Sequence, residues 1–467
     1  MPRPSRSEFN ARMKQLIAYI RDEIHKGSLK QGDYLASELE LAHRFNLSKE
    51  SVRKALDVLV EDGWIVKIRR VGNRVAKAPI HLQERPIPSL APSSASSKTV
   101  LRFALHPGLA EEARLRQAVA AFERRHPHVR VELIDTPFPL DFVIHGMADV
   151  ISLTAWDALK LKEQDPDLSV LSVAPNTTFA HPMLAKPFQS ERGLYKAAPF
   201  LFSPLVLGYN RAHFAACGIQ EPAPGWTWYT LLKAAKALNR RLGVRGFVAH
   251  IQSVNRWPVF LLQNGFRFQS GAGPRAAEDP ALWESLRISR DLMFQQGGPL
   301  LWTESDADVE RWFREERASI VLTTFFGLNR LAQSSFEYGV APLPALRSDD
   351  TLLLVTGLAV NRSSAHADDA DSLVRYLCGR DVQADIRRNT LLLPAHPETL
   401  HDETGLNGNR PFGEPAFQDM WERYRLYSDL NLSTSVIEAI REELKAYWSR
   451  LEDEAEASER LESLLST

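Results

Sequence analysis

The sequence predicts a mixed α/β chain made of two unlike parts, and three observations carry that expectation. Between Asp33 and Val75, two short helical stripes are followed by two β-prone runs around a basic turn. From Thr99 onward, β-prone runs alternate with amphipathic helical stretches, the pattern of β-α-β units on a parallel sheet. Residues 78–98, between them, are rich in proline and serine. A chain of 467 residues has room for two or three domains, each with its own core.

In the first part, Phe9 to Lys26 reads as a helix with Met13, Leu16, Ile17, Ile20 and Ile24 on one face. Ser37 followed by Glu40 is a capping box, so a second helix starts there and buries Leu39, Ala42 and Phe45. Ser48 caps a third helix. Its Val52, Ala55, Leu56, Leu59 and Val60 form one buried stripe, and Lys49, Glu50, Arg53, Lys54 and Asp57 lie opposite. Asp62-Gly63 ends that helix. Trp64 to Ile68 reads as a strand, Arg69 to Asn73 as a basic turn with Gly72 at its tip, and Arg74 to Lys77 as the return strand. Helices and hairpin in this order make a winged helix-turn-helix over residues 1–77.

These residues resemble the N-terminal domain of GntR-family bacterial repressors. The matching stretches are Ile24 to Leu29, Gly32 to Ala42, Leu47 to Leu56, Glu61 to Trp64, and Gly72. Leu39 stands where the family usually has a DNA-contacting arginine, Lys49 replaces another, and Glu50 sits beside it, so the operator sequence cannot be carried over from relatives. The resemblance implies a double-stranded DNA operator, a two-fold dimer, and a third helix lying in the major groove. Lys49, Ser51 and Arg53 are then nearest the bases or phosphates. The cap serines Ser37 and Ser48 and the wing residues Arg70 and Gly72 complete the expected DNA-binding set.

Charge distribution agrees. Residues 1–77 hold 16 Lys+Arg against 10 Asp+Glu, and the remainder holds 41 against 48, so a basic head precedes an acidic body. Residues 78–98 form a linker that spans roughly 25 Å as a flexible coil. Cys217 and Cys378 lie far apart and suggest neither a disulfide framework nor a metal site. No apolar run approaches a membrane span, and Met1 to Gln15 has no apolar signal-peptide core. The expected location is the cytoplasm, with no membrane partner.

The body, 99–467, opens with a strand at Thr99 to Leu105, a helix from about Ala110 to His126 and a strand at Val129 to Ile134, which is one β-α-β unit. Asp149 to Leu153 is a buried strand. Tyr195 to Phe200 and Leu205 to Arg211 follow, then helices at Phe214 and at Thr230 to Arg241. Later landmarks are a helix running into a strand across Phe313 to Leu322, Gly339 to Pro344, Leu354 to Val360, and a charged amphipathic helical region from Val436. Trp226 and Trp228 fall in a packing segment. His126-Pro127-His128 reads as a surface turn, and Glu304 to Asp308 as a solvated helix start.

Six of these motifs, in register, resemble extracellular solute-binding proteins of the maltose-binding class: Phe122 to Val131, Ala148-Asp149-Val150, the segment Gly193 to Pro199 with Tyr209-Asn210 through Gly218, Trp226-Thr227-Trp228 through Leu238, Pro342-Leu343-Pro344, and Leu392 to Ala395. The resemblance implies a periplasmic-binding-protein-like α/β body of two hinged lobes that close over a ligand. Sugar-binding members stack aromatic faces on the ring and hold its hydroxyls with a few polar groups. The positions aligned with cleft loops are His106, Trp156, Asp157, Ser203, Asn255, Trp257, Phe326 and Thr356, with Trp156, Trp257 and Phe326 as the stacking candidates. The sequence lacks G-x-S-x-G, H-E-x-x-H, a Walker-A loop and a dinucleotide G-x-G-x-x-G, so neither an enzyme nor a cofactor is expected. The expectation is a cytosolic regulator, a repressor by family habit, controlled by a small-molecule effector of carbohydrate type. Two alternatives stand beside it: a winged-helix head on an aminotransferase-type body, and a transport solute-binding protein.

Overall fold

The computed structural model describes residues 6–25, 29, 33–36, 38–45, 47, 52, 53, 55, 56, 59, 60, 64–68, 72–76, 98–174, 176–268, 279–293, 305–331, 334–418 and 420–465. The chain divides into two compact units, Met1–Ala95 and Ser96–Thr467. The expected linker, apart from Lys98, lies outside the described residues.

The first unit contains α1 (Arg6–His25), α2 (Glu38–Phe45), β1 (Ile65–Ile68) and β2 (Gly72–Val75). Val52, Arg53, Ala55, Leu56, Leu59 and Val60 are helical, as their periodicity predicts. Leu16 and Ile20 of α1 meet Leu41 and Ala42 of α2, and Val52, Ala55, Leu56, Leu59 and Ile65 close this core. Arg44 joins the first two helices, donating from Nη1 to the Tyr19 hydroxyl at 2.8 Å with its guanidinium over the ring. Two features differ from the sequence reading. Gly72 is not at the wing tip but pairs with Ile68 as the first residue of β2. The chain at 33–35 also joins the hairpin, for Val75 donates to the Asp33 carbonyl and Leu35 to that of Asn73.

The second unit begins with β3 (Thr99–Leu105), α3 (Leu109–Glu112), α4 (Leu115–Arg125), β4 (Val129–Asp135), α5 (Pro139–Ile144), β5 (Val150–Thr154) and α6 (Ala155–Gln164). A 13-residue strand, β6 (Ala198–Asn210), leads to α7 (Arg211–Cys217), α8 (Trp228–Leu242), β7 (Arg245–Val248), α9 (Pro258–Gln263) and α10 (Pro280–Met293). Next come α11 (Asp306–Arg314), β8 (Ala318–Thr324), α12 (Phe325–Asn329), β9 (Tyr338–Ala341) and β10 (Thr351–Val360). The remainder holds α13 (Ala367–Leu377), α14 (Arg380–Asn389), β11 (Leu393–Pro394), α15 (Pro397–Leu400), β12 (Tyr424–Arg425), α16 (Thr434–Trp448) and α17 (Glu454–Leu465).

One mixed sheet runs β4-β3-β5-β10-β6-β8-β7, with β9 and β11 also on β6 and β12 on β10. It divides into two lobes within β6. Ala198 to Pro204 pair with β10, whereas Leu205 to Asn210 pair with β8 and β9. Lobe one therefore holds β3, β4 and β5, and lobe two holds β7, β8 and β9. Each lobe has its own outer core: Leu101, Phe122, Leu358 and Leu373 in lobe one, and Leu207, Trp228, Trp257 and Trp448 in lobe two. A third cluster spans both, from Ile151 and Phe202 to Phe313 and Val321.

The helix expected from Ala110 to His126 breaks in two. Arg114 adopts a left-handed φ of 55°, and its Nε pairs with Asp385 of α14 at 2.9 Å. That tertiary ion pair accompanies a backbone turn that local propensity does not predict. Tyr195 to Phe200 and Leu205 to Arg211, read as separate segments, meet in the continuous β6. The amphipathic C-terminal region is packed, with Trp448 buried and its Nε1 donating to Ser289 Oγ at 3.0 Å. Among the described residues, no helix is long and apolar enough to cross a membrane.

Close approach rather than turn geometry requires glycine at 246. A Cβ there would lie 1.9 Å from the Ala235 carbonyl oxygen of α8. Gly246→Ala must therefore part α8 from β7, and is expected to destabilise the body by about 1–3 kcal/mol, read from urea unfolding.

Candidate functional site

Strand polarity locates the site. The parallel strands of lobe one, β3, β4 and β5, end at Leu105, Asp135 and Thr154, and those of lobe two, β7 and β8, end at Val248 and Thr324. Loops beyond the carboxyl ends of parallel strands are where α/β sheets hold ligands. His106, Trp156, Asp157, Asn255 and Phe326 follow those ends.

In lobe one a polar cluster fixes one carboxylate. Thr154 and Asp157 form a capping box at the start of α6. Asp157 Oδ2 accepts from Thr154 Oγ1 at 2.6 Å and from the Thr154 N–H at 3.3 Å, and it lies 3.1 Å from His106 Nε2. The other ring nitrogen of His106 is 2.8 Å from Ser152 Oγ, which also accepts the His106 N–H. Burial pushes the Asp157 carboxyl up, but the His106 hydrogen bond and charge, with the Thr154 bonds, hold it below the ordinary carboxylate range. The other oxygen, Oδ1, has no hydrogen bond among the described residues. Ser152 is fully buried, so this Ser-His-Asp array presents an acceptor and not a nucleophile.

An aromatic bridge leads to lobe two. Trp156 meets Tyr427 edge to face at 5.0 Å, and the Tyr427 hydroxyl donates to Asn255 Oδ1 at 2.5 Å. Burial raises the pKa of Tyr427, with Arg256, Asp306 and Asp157 all near enough to act on it. Arg256, 2% exposed, pairs through Nη2 with Asp306 at 3.1 Å. Arg330 lies between Glu112 at 3.0 Å and Glu310 at 3.1 Å. Each of these two guanidinium groups is thus matched by a carboxylate.

The structure brings His106, Trp156 and Asp157 together and joins Asn255 to them through Tyr427. It treats the other expected cleft residues differently. Ser203 is fully buried, accepting the Phe325 N–H at 2.7 Å and donating to the Pro204 carbonyl at 2.8 Å, so it fastens α12 to β6. Trp257 is 1% exposed and packs against Trp448 at 6.1 Å, which leaves no face for stacking. Thr356 is buried in β10 opposite Thr154 and Leu201. Phe326 is half-buried against the lobe-one core. Tyr427, Glu310 and Arg330 were not singled out from sequence. Asp306 lies within the acidic run read as a solvated helix start, but it pairs with buried Arg256. Of the expected DNA-binding residues, Arg53 is helical and exposed, off the buried stripe. Ser37, Ser48, Lys49, Ser51 and Arg70 lie outside the described residues.

Comparison with known proteins assigns both units. Residues 106–384 match the family described as bacterial extracellular solute-binding protein. The chain belongs to this solute-binding protein family. Residues 12–75 match the gntR family of bacterial regulatory proteins, so the solute-binding body follows a GntR-type DNA-binding domain. Over that domain the chain is 33% identical to the "Probable transcriptional regulator PhnF" of Escherichia coli across 73 residues, 16% of this chain and 30% of that protein. It is 43% identical to the "HTH-type transcriptional regulator TreR" of Bacillus subtilis across 56 residues, 12% and 24% of the two chains. The chain thus spans less than a third of the length of these curated relatives. Solved structures share the fold of the body. The GacH receptor of Streptomyces glaucescens, solved unliganded and with acarbose, has a TM-score of 0.67 at 17% identity, covering 79% of this chain and 98% of that one. Lmo0181 of Listeria monocytogenes in complex with cycloalternan has a TM-score of 0.66 at 19% identity with the same coverage. A solute-binding body replaces the aminotransferase-type alternative, and both matched families are regulator and binding types rather than enzymes.

Two outcomes follow from this geometry. Trp257→Ala is expected to cost about 3–5 kcal/mol of stability in urea, as for a buried core aromatic. Asp157 has a depressed folded pKa, so its stabilisation is present above the unfolded value of about 3.9 and is lost as pH falls through the folded one. Asp157→Asn should therefore lower the melting temperature more at pH 7 than at pH 3; equal losses at both would contradict the assignment.

Proposed function

We propose that this chain is a cytosolic transcription regulator whose GntR-type head binds a two-fold DNA operator as a homodimer, under control of a neutral, hydroxyl-rich small molecule in the inter-lobe cleft. The observation that carries the ligand reading is half-buried Trp156, held edge to face by buried Tyr427, beside a carboxylate whose Oδ2 is fixed and whose Oδ1 is left to accept. An aromatic edge beside a preoriented acceptor suits a sugar ring and its hydroxyls. Charge favours a neutral ligand. Among the described cleft residues, Arg256 and Arg330 are already paired, and Asp157, Asp306, Glu112 and Glu310 would repel a phosphate or carboxylate. Phe326 is a further candidate for contact with the ligand. Solved relatives of this fold bind acarbose, cycloalternan and maltose. The GntR-type head supports control of transcription over transport, and repression is the habit of named relatives such as the histidine utilization repressor of Klebsiella aerogenes.

Calorimetric titration of the full chain with maltose, acarbose, cycloalternan and glucose 6-phosphate tests the ligand class. At least one neutral sugar is expected to bind and the phosphate is not. Asp157→Asn should weaken that binding by about 1.5–3 kcal/mol, the worth of a hydrogen bond to a charged group. Binding of the phosphate alone, or parental affinity in both Asp157→Asn and Trp156→Ala, would overturn the reading. For the head, Arg53→Ala should weaken operator binding and flatten its salt dependence by about 0.9 in log–log slope per lost phosphate contact. An unchanged slope and affinity would remove Arg53 from the interface.

A further inference from the structure

Helix α12 belongs to lobe two by chain order, between β8 and β9, and its Phe325 and Leu328 lie in the cluster that spans both lobes, yet two of its side chains reach lobe one. Phe326 packs on the lobe-one core. Asn329 donates from Nδ2 to the Glu112 carbonyl at 3.3 Å and accepts the Leu391 N–H at 3.0 Å through Oδ1. Arg330, which caps α12, holds Glu112 Oε1 of α3 from Nη2 at 3.0 Å. The same guanidinium reaches back into lobe two, where Nη1 holds Glu310 Oε2 of α11 at 3.1 Å. One arginine therefore bridges two carboxylates, one from each lobe.

The two halves of this bridge are unequal. The Glu310 side chain is 7% exposed, and its Oε1 also accepts from Thr323 Oγ1 at 3.2 Å. Gly327 makes that position possible, since a Cβ there would lie 1.9 Å from Glu310 Oε1 and 2.3 Å from Thr323 Oγ1. Burial raises both carboxyl groups and the Arg330 charge opposes it, joined at Glu310 by Arg256 and the Thr323 hydrogen bond. The Glu112 side chain, 19% exposed, has fewer constraints, and water can replace its partner more readily. The N-terminal end of α12 is meanwhile fixed at the lobe boundary, where Ser203 of β6 accepts the Phe325 N–H.

We propose that α12 is an inter-lobe latch with Arg330 as its bolt: protein contacts alone hold the lobes together, and opening breaks Arg330–Glu112 while Arg330–Glu310 persists. The latch gives the body two discrete arrangements, and a ligand acts by preferring one of them.

The test uses the full chain with no sugar added, so its outcome is independent of the sugar reading. Spin labels on Arg130→Cys of lobe one and Lys233→Cys of lobe two, both exposed positions, report lobe separation by pulsed electron resonance, because Cys217 and Cys378 are buried. The parent should give one narrow distance distribution. Glu112→Gln and Arg330→Gln should both shift it toward longer separations, and Arg330→Lys should restore most of the parental population. Glu112→Gln decides the matter if Arg330→Gln fails to fold, because it leaves the buried Glu310 paired. A folded Glu112→Gln protein, by circular dichroism, with the parental distribution would overturn the latch.

Discussion

The architecture of the body depends on one strand serving two lobes. All 13 residues of β6 are buried, and the strand exchanges its ladder partner between Pro204 and Leu205. Proline has no N–H to donate, so a place where one ladder ends and another begins is where it fits within a sheet. Ser203 completes the junction by accepting the first N–H of α12, which leaves no buried hydroxyl unpaired at the changeover. Through β10 the same strand also sets β5, and with it Thr154, Trp156 and Asp157. The cleft residues of both lobes are thus referred to a common backbone, although the two sides come from distant stretches of sequence.

Electrostatics then gives the cleft its character. Fully buried ion pairs are costly to assemble and contribute little net stability, but removing one partner leaves an uncompensated charge. Where the lobes approach, Arg256 with Asp306 and Arg330 with Glu310 each set one buried charge against a more exposed partner, and Glu112 shares Arg330. Away from the cleft, Glu414 is gripped by Arg387 and Arg410, and this cluster holds the segment around 407–414 between α14 and β9. Paired charges at these places favour a small number of well-defined arrangements over a graded deformation.

Much of the fold was legible in local pattern. The stripe of Val52, Ala55, Leu56 and Leu59 and the strands Thr99 to Leu105 and Leu354 to Val360 needed only periodicity and β-propensity. Legibility failed where distant residues decide a local conformation. Arg114 turns left-handed beside Asp385, and no residue type at 114 announces that. Gly72 pairs with Ile68 in β2, and next to it Asn73 and Val75 bond Leu35 and Asp33 from far upstream, a contact that the local pattern does not show. In the cleft, all the expected positions came from alignment with loops, and alignment cannot say which way a side chain points: His106 and Asp157 lie just past the ends of β3 and β5, whereas Ser203 and Trp257 are buried. Tyr427 was missed because its partners, Trp156 and Asn255, are far away in sequence. The acidic run at Asp306 gave a signal, but only the burial of Arg256 shows what it is for.

The proposed regulation requires coupling between a cleft in the body and the DNA-binding head. It is tested most directly by titrating a labelled operator duplex, selected from random sequences with the full chain, in the absence and presence of a saturating neutral sugar that binds by calorimetry. The sugar is expected to change operator affinity roughly 5- to 150-fold, the usual range for coupling between two sites in one protein. A sugar that binds the cleft with measurable heat and leaves the operator affinity unchanged would contradict it.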